Sequence, residues 1–240
     1  MSTTRLSVNL NKVALIRNAR GGTRPDLYRV ARDCEAFGAQ GITVHPRPDQ
    51  RHARYDDLPA LKELVTTEFN VEGNPTRTFL DHVIAVRPHQ CTLVPDAPDA
   101  LTSDAGWNTV KHHDFLVDTI AELHEAGVRV SIFTDPDERQ VEGAKAVGSD
   151  RIELYTGPYA EQYATDPARA VAPYAQAATR AAELELGVNA GHDLDLDNLR
   201  FLKQNLPVLD EVSIGHALIS DALYMGLHNT IQQYLLRLEA

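Results

Sequence analysis

Eight times along the chain a short run rich in Val, Ile and Leu gives way to a longer stretch with helical spacing, and this alternation constrains the fold more than any other feature. The short runs are 6–10, 41–45, 69–72, 91–95, 128–134, 151–156, 186–190 and 211–215. Runs of this length and composition are expected for strands buried on both faces of a parallel sheet. Between them, Leu27, Val30, Ala31 and Cys34 recur at the spacing of one helical face, and Phe115, Ile120 and Leu123 follow a polar His112-His113-Asp114 start. Pro136 with Asp137 and Glu138 suits a first helical turn, where acids meet the positive end of the helix dipole. Gly38 and Gly127 follow helical segments and suit left-handed caps. The Ala-rich stretch 168–184 is the clearest single helix. Eight strand–helix units in 240 residues match the ~250 residues of a (β/α)8 TIM barrel. A doubly wound open sheet fits less well, because neither Gly-x-Gly-x-x-Gly nor Gly-x-x-x-x-Gly-Lys-Ser/Thr follows any strand. The expectation is an α/β barrel filling residues 1–240 as one domain.

Charge and composition narrow the partners. With 34 acidic and 23 basic residues the net charge is −11, which repels phosphate backbones and argues against nucleic-acid binding by bulk charge. Small phosphorylated ligands remain compatible, since a few arginines act locally. Hydrophobic residues make up 43% and charged residues 24%, an ordinary globular mixture. No apolar run approaches the ~20 residues of a membrane helix, and the first residues carry no signal-peptide core. Two cysteines, Cys34 and Cys91, make no disulfide framework. A soluble, cytoplasmic protein is expected.

In a barrel of this kind the active site lies at the C-terminal ends of the strands. Those ends supply Asn9, Asn11 and Lys12 from the first strand, His45 and Arg47 from the second, and Glu72 from the third. Glu153 and Tyr155 come from the sixth, Asn189 and His192 from the seventh, and Gly215-His216 from the eighth. Any one of these could be an ordinary polar residue at a strand end. Histidines and carboxylates from three or more strands converging on one rim indicate acid–base chemistry.

Phosphate handling is the second theme. The loops after strands seven and eight read Asn189-Ala190-Gly191-His192 and Ser213-Ile214-Gly215-His216-Ala217, where glycines permit the backbone to approach a phosphate near a helix N-terminus. Arginine supplies the matching fork. Arg20, beside Gly21-Gly22, is expected to hold a ligand, whereas Arg51 and Arg54 read as solvated surface residues. Other chemistries fit poorly. Strand one offers Asn-Leu-Asn rather than His-x-His, and although His45, Glu72 and His192 could ligate zinc, no tight ligand pair supports it. Of five lysines only Lys12 lies near a strand end, which leaves a Schiff-base aldolase without its amine. Cys34 falls on a helix and Cys91 at the wrong end of strand four.

The collected segments resemble the pyridoxine 5′-phosphate synthase family of the deoxyxylulose-dependent vitamin B6 route. The resemblance rests on Ser7-Val8-Asn9, Leu15-Ile16-Arg17-Asn18-Ala19-Arg20-Gly21, Gly41-Ile42-Thr43-Val44-His45 with Arg51-His52, Asn70-Val71-Glu72 and Leu93-Val94-Pro95. It continues through Ile152-Glu153-Leu154-Tyr155-Thr156-Gly157, Val188-Asn189-Ala190-Gly191-His192 and Ile214-Gly215-His216-Ala217. It implies a TIM barrel with a few extra helices, assembled as a homo-octamer built from dimers. The implied reaction joins 1-deoxy-D-xylulose 5-phosphate to 3-amino-2-oxopropyl phosphate with no metal and no organic cofactor. Positions His45 and Glu72 match proton acceptors, His192 a proton donor, and Glu153 a residue stabilising the transition state. Asn9, Arg20, Asp193, Gly215 and His216 match positions that hold the amino-ketone phosphate. Asn11, Lys12, Arg47, His52 and Thr102 match those that hold the sugar phosphate.

Two positions depart from the family pattern. Asn11-Lys12 stands where Asp-His is usual, exchanging a possible base for a fixed positive charge that still suits a sugar phosphate. Asp193 stands where glycine usually follows the Gly-His pair, so a phosphate contact there rests on backbone N–H. Two other readings stay open: a cofactor-free phosphosugar isomerase or epimerase, and a non-catalytic barrel binding phosphorylated metabolites. The long connection 96–111, with Pro98, Thr102, Gly106 and Trp107, is expected to act as a lid.

Overall fold

Along each strand segment apolar and polar residues alternate, and closing the sheet sorts the two sets onto opposite faces. In the computed structural model, which describes residues 3–96 and 103–239, the strands are β1 (Arg5–Asn9), β2 (Gly41–Val44), β3 (Glu68–Gly73), β4 (Gln90–Leu93), β5 (Arg129–Thr134), β6 (Arg151–Tyr155), β7 (Gly187–Gly191) and β8 (Glu211–Ile214). Each pairs in parallel with its sequence neighbour, and β8 pairs back onto β1 through Ser7↔Ser213 and Val8↔Ile214, closing the barrel. The helices are α1 (Asn11–Asn18), α2 (Leu27–Ala36), α3 (Asp57–Leu64), α4 (Arg77–Val86), α5 (His113–Glu125), α6 (Glu138–Ala146), α7 (Gly157–Tyr163), α8 (Pro167–Glu183), α9 (Leu199–Asn205), α10 (His216–Met225) and α11 (Leu227–Leu238). The units after β1, β6 and β8 therefore carry two helices each, which accounts for the extra ones.

Local signals set the helix ends. Asp26, Asp137 and Asp166 accept hydrogen bonds from backbone N–H groups in the first turns of α2, α6 and α8, satisfying donors that the helix itself leaves open. Gly38 and Gly127 adopt φ of 101° and 77°, a conformation that costs glycine little.

The hydrophobic core lies between the strands and the helix ring. Leu6, Val8, Ile42, Val44, Val71, Leu93, Ile132, Ile152, Leu154, Val188 and Val212 are fully buried there. The strands are buried on both faces as their brevity suggests, but the inward face is polar where TIM barrels usually stack branched aliphatics. Ser7 and Thr43 hydroxyls meet at 2.7 Å, Asn70 donates to Thr43 Oγ1, and Thr92 donates to Asn70 Oδ1. Nearer the N-terminal ends, Arg129 bonds Gln90 and Glu68, Arg5 donates to Glu68 at 3.1 Å, and Arg151 donates to Asn189 Oδ1 at 3.0 Å. Buried polar groups need partners, and this interior meets many of them side chain to side chain, although Gln90 Nε2, Ser131 Oγ, Asn189 Nδ2 and Glu211 Oε2 have none among the described residues. The polar filling leads directly into the site.

Candidate active site

At the C-terminal rim the barrel opens into a cavity of about 600 Å³. Its lining includes Asn9, Asn11, Lys12, His45, Arg47, His52, Glu72, Glu153, His192, Asp193, Gly215 and His216. Twelve of the fourteen residues to which the family resemblance assigns a role thus share one cavity. Arg20 does not: it is exposed in the turn after α1 and is absent from the lining. Thr102 lies outside the described residues.

The two carboxylic acids sit deepest. Glu72, on β3, lies within 3.4 Å of Asn9 Nδ2, Asn70 Nδ2 and Ser213 Oγ, all of which can donate to it. Burial and then the charge of Glu153 push its carboxyl well above the usual range. Glu153, on β6, is approached by the Thr92 hydroxyl at 3.4 Å, and burial raises its pKa to about 7. Two acids sharing a dry site cannot both ionise cheaply, so the pair holds a proton between them near neutral pH. Gly191 makes room for this arrangement, because a Cβ there would stand 2.4 Å from Glu153 Oε1.

Cations crowd the opposite wall. His45 follows β2 directly, is buried, and donates its backbone N–H to Asn11 Oδ1 at 2.9 Å. Burial and the neighbouring Arg47, His52 and Arg51 drive its imidazole well below the ordinary histidine range. It is therefore neutral at physiological pH and able to accept a proton. His52 is lowered to about 4 by burial, then by Lys12, Arg51 and Arg47. Asn11 thus holds the backbone at His45, and Lys12 adds to the positive wall. Arg47 is buried and pairs with Asp96 at 2.8 Å, an oxygen that also accepts from Ser103 Oγ at 2.8 Å.

The loop after β7 is bent to present its imidazole. His192 and Asp193 adopt φ of 88° and 58°, in a region non-glycine residues rarely enter and that clusters at functional sites. His192 Nδ1 meets Asp193 Oδ2 at 2.7 Å, and the ring packs edge-on against Tyr155. The hydrogen bond from His192 holds the Asp193 carboxyl below its usual range. The side chain of Asp193 is thereby engaged with the histidine, consistent with a phosphate contact made by backbone alone. After β8, Gly215 precedes the first turn of α10, and a Cβ there would crowd Asn9 at 3.0 Å.

Several residues have roles that single-sequence reading did not assign. Arg17 ends α1 rather than a loop and forks onto Asp57 at 2.7 and 2.9 Å, both groups buried. Asn18 donates to the carbonyls of Gln50, Arg51 and His52. The Arg-Asn-Ala-Arg-Gly segment therefore clamps the loop after β2, and a helix stands between β1 and the two glycines. Arg51, read as a surface residue, lines the cavity, whereas Arg54 is exposed as expected. Asn189 and Tyr155 lie outside the lining, with Asn189 one layer below on β7. Ser103, Phe133, Val94 and Ser213 complete the wall; alternation along β5 and β8 is the signal that could have placed Phe133 and Ser213 inside. Among the described residues no group of three or more His, Cys, Asp or Glu is spaced to hold a metal ion.

A family model described as pyridoxal phosphate biosynthesis protein PdxJ matches residues 6–240. The chain belongs to this family. It is 60% identical to pyridoxine 5′-phosphate synthase of Cytophaga hutchinsonii, over 98% of this chain and 99% of that one. It is 59% identical to the protein of the same name from Porphyromonas gingivalis, over 96% and 97% of the two chains. A solved structure of tryptophan synthase from Mycobacterium tuberculosis superposes with a TM-score of 0.67 at 15% identity, over 99% of this chain and 93% of that one. At that identity the likeness speaks to the barrel and not to chemistry. His45, Glu72, Glu153 and His192 come from the ends of four strands to one cavity.

Proposed function

We propose that the protein is a pyridoxine 5′-phosphate synthase, joining 1-deoxy-D-xylulose 5-phosphate and 3-amino-2-oxopropyl phosphate to give pyridoxine 5′-phosphate, phosphate and water. The observation that carries this reading is the pairing, in one cavity, of two coupled carboxylic acids with a neutral buried histidine and a second histidine bonded to a carboxylate. Ring closure with loss of water and phosphate needs groups that take protons from carbon and others that return them to leaving oxygens. His45 and Glu72 take the accepting role. His192, with Asp193 on Nδ1, takes the donating role, and Glu153 stabilises charge as it develops. The amine for imine formation belongs to the substrate, so the chain needs no lysine nucleophile.

Lys12, Arg47 and His52 form the side we assign to the sugar phosphate. Asn9, Gly215, His216 and the backbone at Asp193 form the side we assign to the amino-ketone phosphate, where the first turn of α10 offers N–H groups. Arg20 and Thr102 keep their proposed ligand roles on the strength of the family motif alone. The reading includes a homo-oligomer, an octamer built from dimers, and a cytoplasmic setting; exposed Leu223 and Tyr224 on α10 support burial of that surface by another copy. No helix among the described residues is long and apolar enough to cross a membrane.

The test is direct. Purified protein given both substrates should release pyridoxine 5′-phosphate and inorganic phosphate in equal amounts, and neither should form from one substrate alone. Isomerisation of a single phosphosugar without condensation would replace this reading with the isomerase one. Since the proposed chemistry is acid–base, exhaustive chelation should leave product formation unchanged; activity lost to chelator and restored by a divalent ion would reassign His45, Glu72 and His192 as ligands.

A further inference from the structure

Below the rim, the barrel interior holds a run of hydrogen bonds that ends on both catalytic carboxyls. Asn70 on β3 is 1% exposed and stands between them. Its Nδ2 lies 3.4 Å from Glu72 Oε1 and 3.3 Å from Thr43 Oγ1, and its Oδ1 accepts from Thr92 Oγ1 at 3.2 Å. The same Thr92 hydroxyl lies 3.4 Å from Glu153 Oε2. A hydroxyl has one proton to give and can accept as well. If Thr92 donates to Asn70, its oxygen is left to accept, and the neighbour able to donate to it is a protonated Glu153.

The two acids have different company. Among the described residues, every side chain within hydrogen-bond reach of Glu72 is a donor toward it: Asn9 Nδ2, Asn70 Nδ2 and Ser213 Oγ. Donors favour the charged carboxylate. Among the described residues the side chain hydrogen-bonded to Glu153 is the Thr92 hydroxyl, which serves the acid form by accepting, while the charge of His192 acts the other way on it.

We propose that Asn70 and Thr92 are positioning residues that fix where the shared proton sits, on Glu153, and so leave Glu72 ionised as the base. The chain reads Glu153 O–H to Thr92, Thr92 O–H to Asn70 Oδ1, and Asn70 N–H to the Glu72 carboxylate. Neither residue touches substrate in this arrangement; both act through the two acids. Reversing the proton would turn the Thr92 hydroxyl toward the Glu153 carboxylate and away from Asn70 Oδ1, breaking the chain at its centre. The assignment rests on the synthase reading for its consequence in catalysis but not for its geometry.

Two variants test it. Thr92→Val removes the hydroxyl at nearly constant volume, and Asn70→Leu removes the amide while keeping water out. Each should raise the proton affinity of Glu72, moving the acid limb of the kcat–pH profile upward by about half a unit or more, with KM little changed. Thr92→Ser keeps the hydroxyl and should restore the wild-type limb. The same upward shift should appear in an infrared titration of the buried carboxyl band without substrate, compared between wild type and Thr92→Val. Should Asn70→Leu fail to fold, the Thr92 pair decides alone. A lowered kcat with an unmoved limb and an unmoved infrared midpoint in Thr92→Val would overturn the proposal. A moved midpoint in a protein that makes no pyridoxine 5′-phosphate would instead overturn the synthase reading and leave the relay standing.

Discussion

At the scale of single residues, the site separates groups by what surrounds them. Burial in a dry barrel makes the Glu72 carboxylate strongly basic, and the donors around it hold it in one orientation. Glu72→Gln keeps the shape and loses the ability to accept a proton. Turnover should fall by a factor on the order of a hundred or more with KM nearly unchanged, measured by steady-state product formation; near-normal turnover would remove Glu72 from the base role. The wild-type profile has a defined sign. Because the Glu72 carboxyl is raised above its usual range, activity should climb with pH as that proton leaves, while His45, lowered instead, is already neutral across the same range. His192 acts later. His192→Asn should slow the return of protons to leaving groups, so that a single-turnover experiment shows an intermediate accumulating. His45, Glu72, Glu153 and His192 were legible as cavity residues because strand ends in a barrel point to one rim. Asn70 and Thr92 were not, since a polar residue in mid-strand reads as ordinary until the barrel closes around it.

Elements account for what the linear pattern could not settle. Period-two alternation in β3, β5 and β8 was present in the sequence, yet the short runs read as apolar because their outward residues dominate the composition. Arg17 shows a similar limit: its neighbours suggested a phosphate loop, and only the fold reveals that α1 intervenes and that Asp57 takes the guanidinium. The connection after β4 divides in two. Residues 97–102 lie outside the described residues, but Gly106 and Trp107 are packed against the end of β5, with Trp107 N–H on Phe133 O at 2.9 Å and its ring against His112 and Phe115. A Cβ on Gly106 would stand 2.2 Å from the backbone nitrogen of Asp135. Backbone cannot give way as a side chain can, so Gly106→Ala should cost about 1–3 kcal/mol, read as a lower midpoint in urea unfolding. Trp107, 7% exposed, is anchored. A fluorescence change on saturation with either substrate would therefore report movement of this packed half, and its absence would count against a lid.

For the whole molecule, a polar barrel interior has a consequence for stability. A hydrophobic interior would be indifferent to pH, whereas this one buries three carboxyls whose proton affinity is raised by the fold. Glu211, at the start of β8, is raised to about 8 by burial and then by the charge of Glu68, against the opposing effect of Arg151. Glu153 is raised to about 7, and Glu72 shifts the same way. A carboxyl with a raised folded pKa takes up a proton on folding wherever the unfolded chain has already lost it. Its stabilisation is complete below about 4.5, the ordinary value, and disappears as pH rises through the folded value. Stability should therefore decline between roughly pH 5 and 8, each such group contributing up to about 1.4 kcal/mol per pH unit. Glu211 stands outside the cavity lining, although its charge reaches Glu72, so the test reads unfolding rather than activity. Glu211→Gln is neutral at every pH and removes one proton from the balance. Urea unfolding at pH 5.5 and pH 8 should show a flatter dependence in the variant than in the wild type, with the variant gaining most at the higher pH. Equal slopes would mean that Glu211 is ionised in the folded barrel, held so by Arg151 and Arg129.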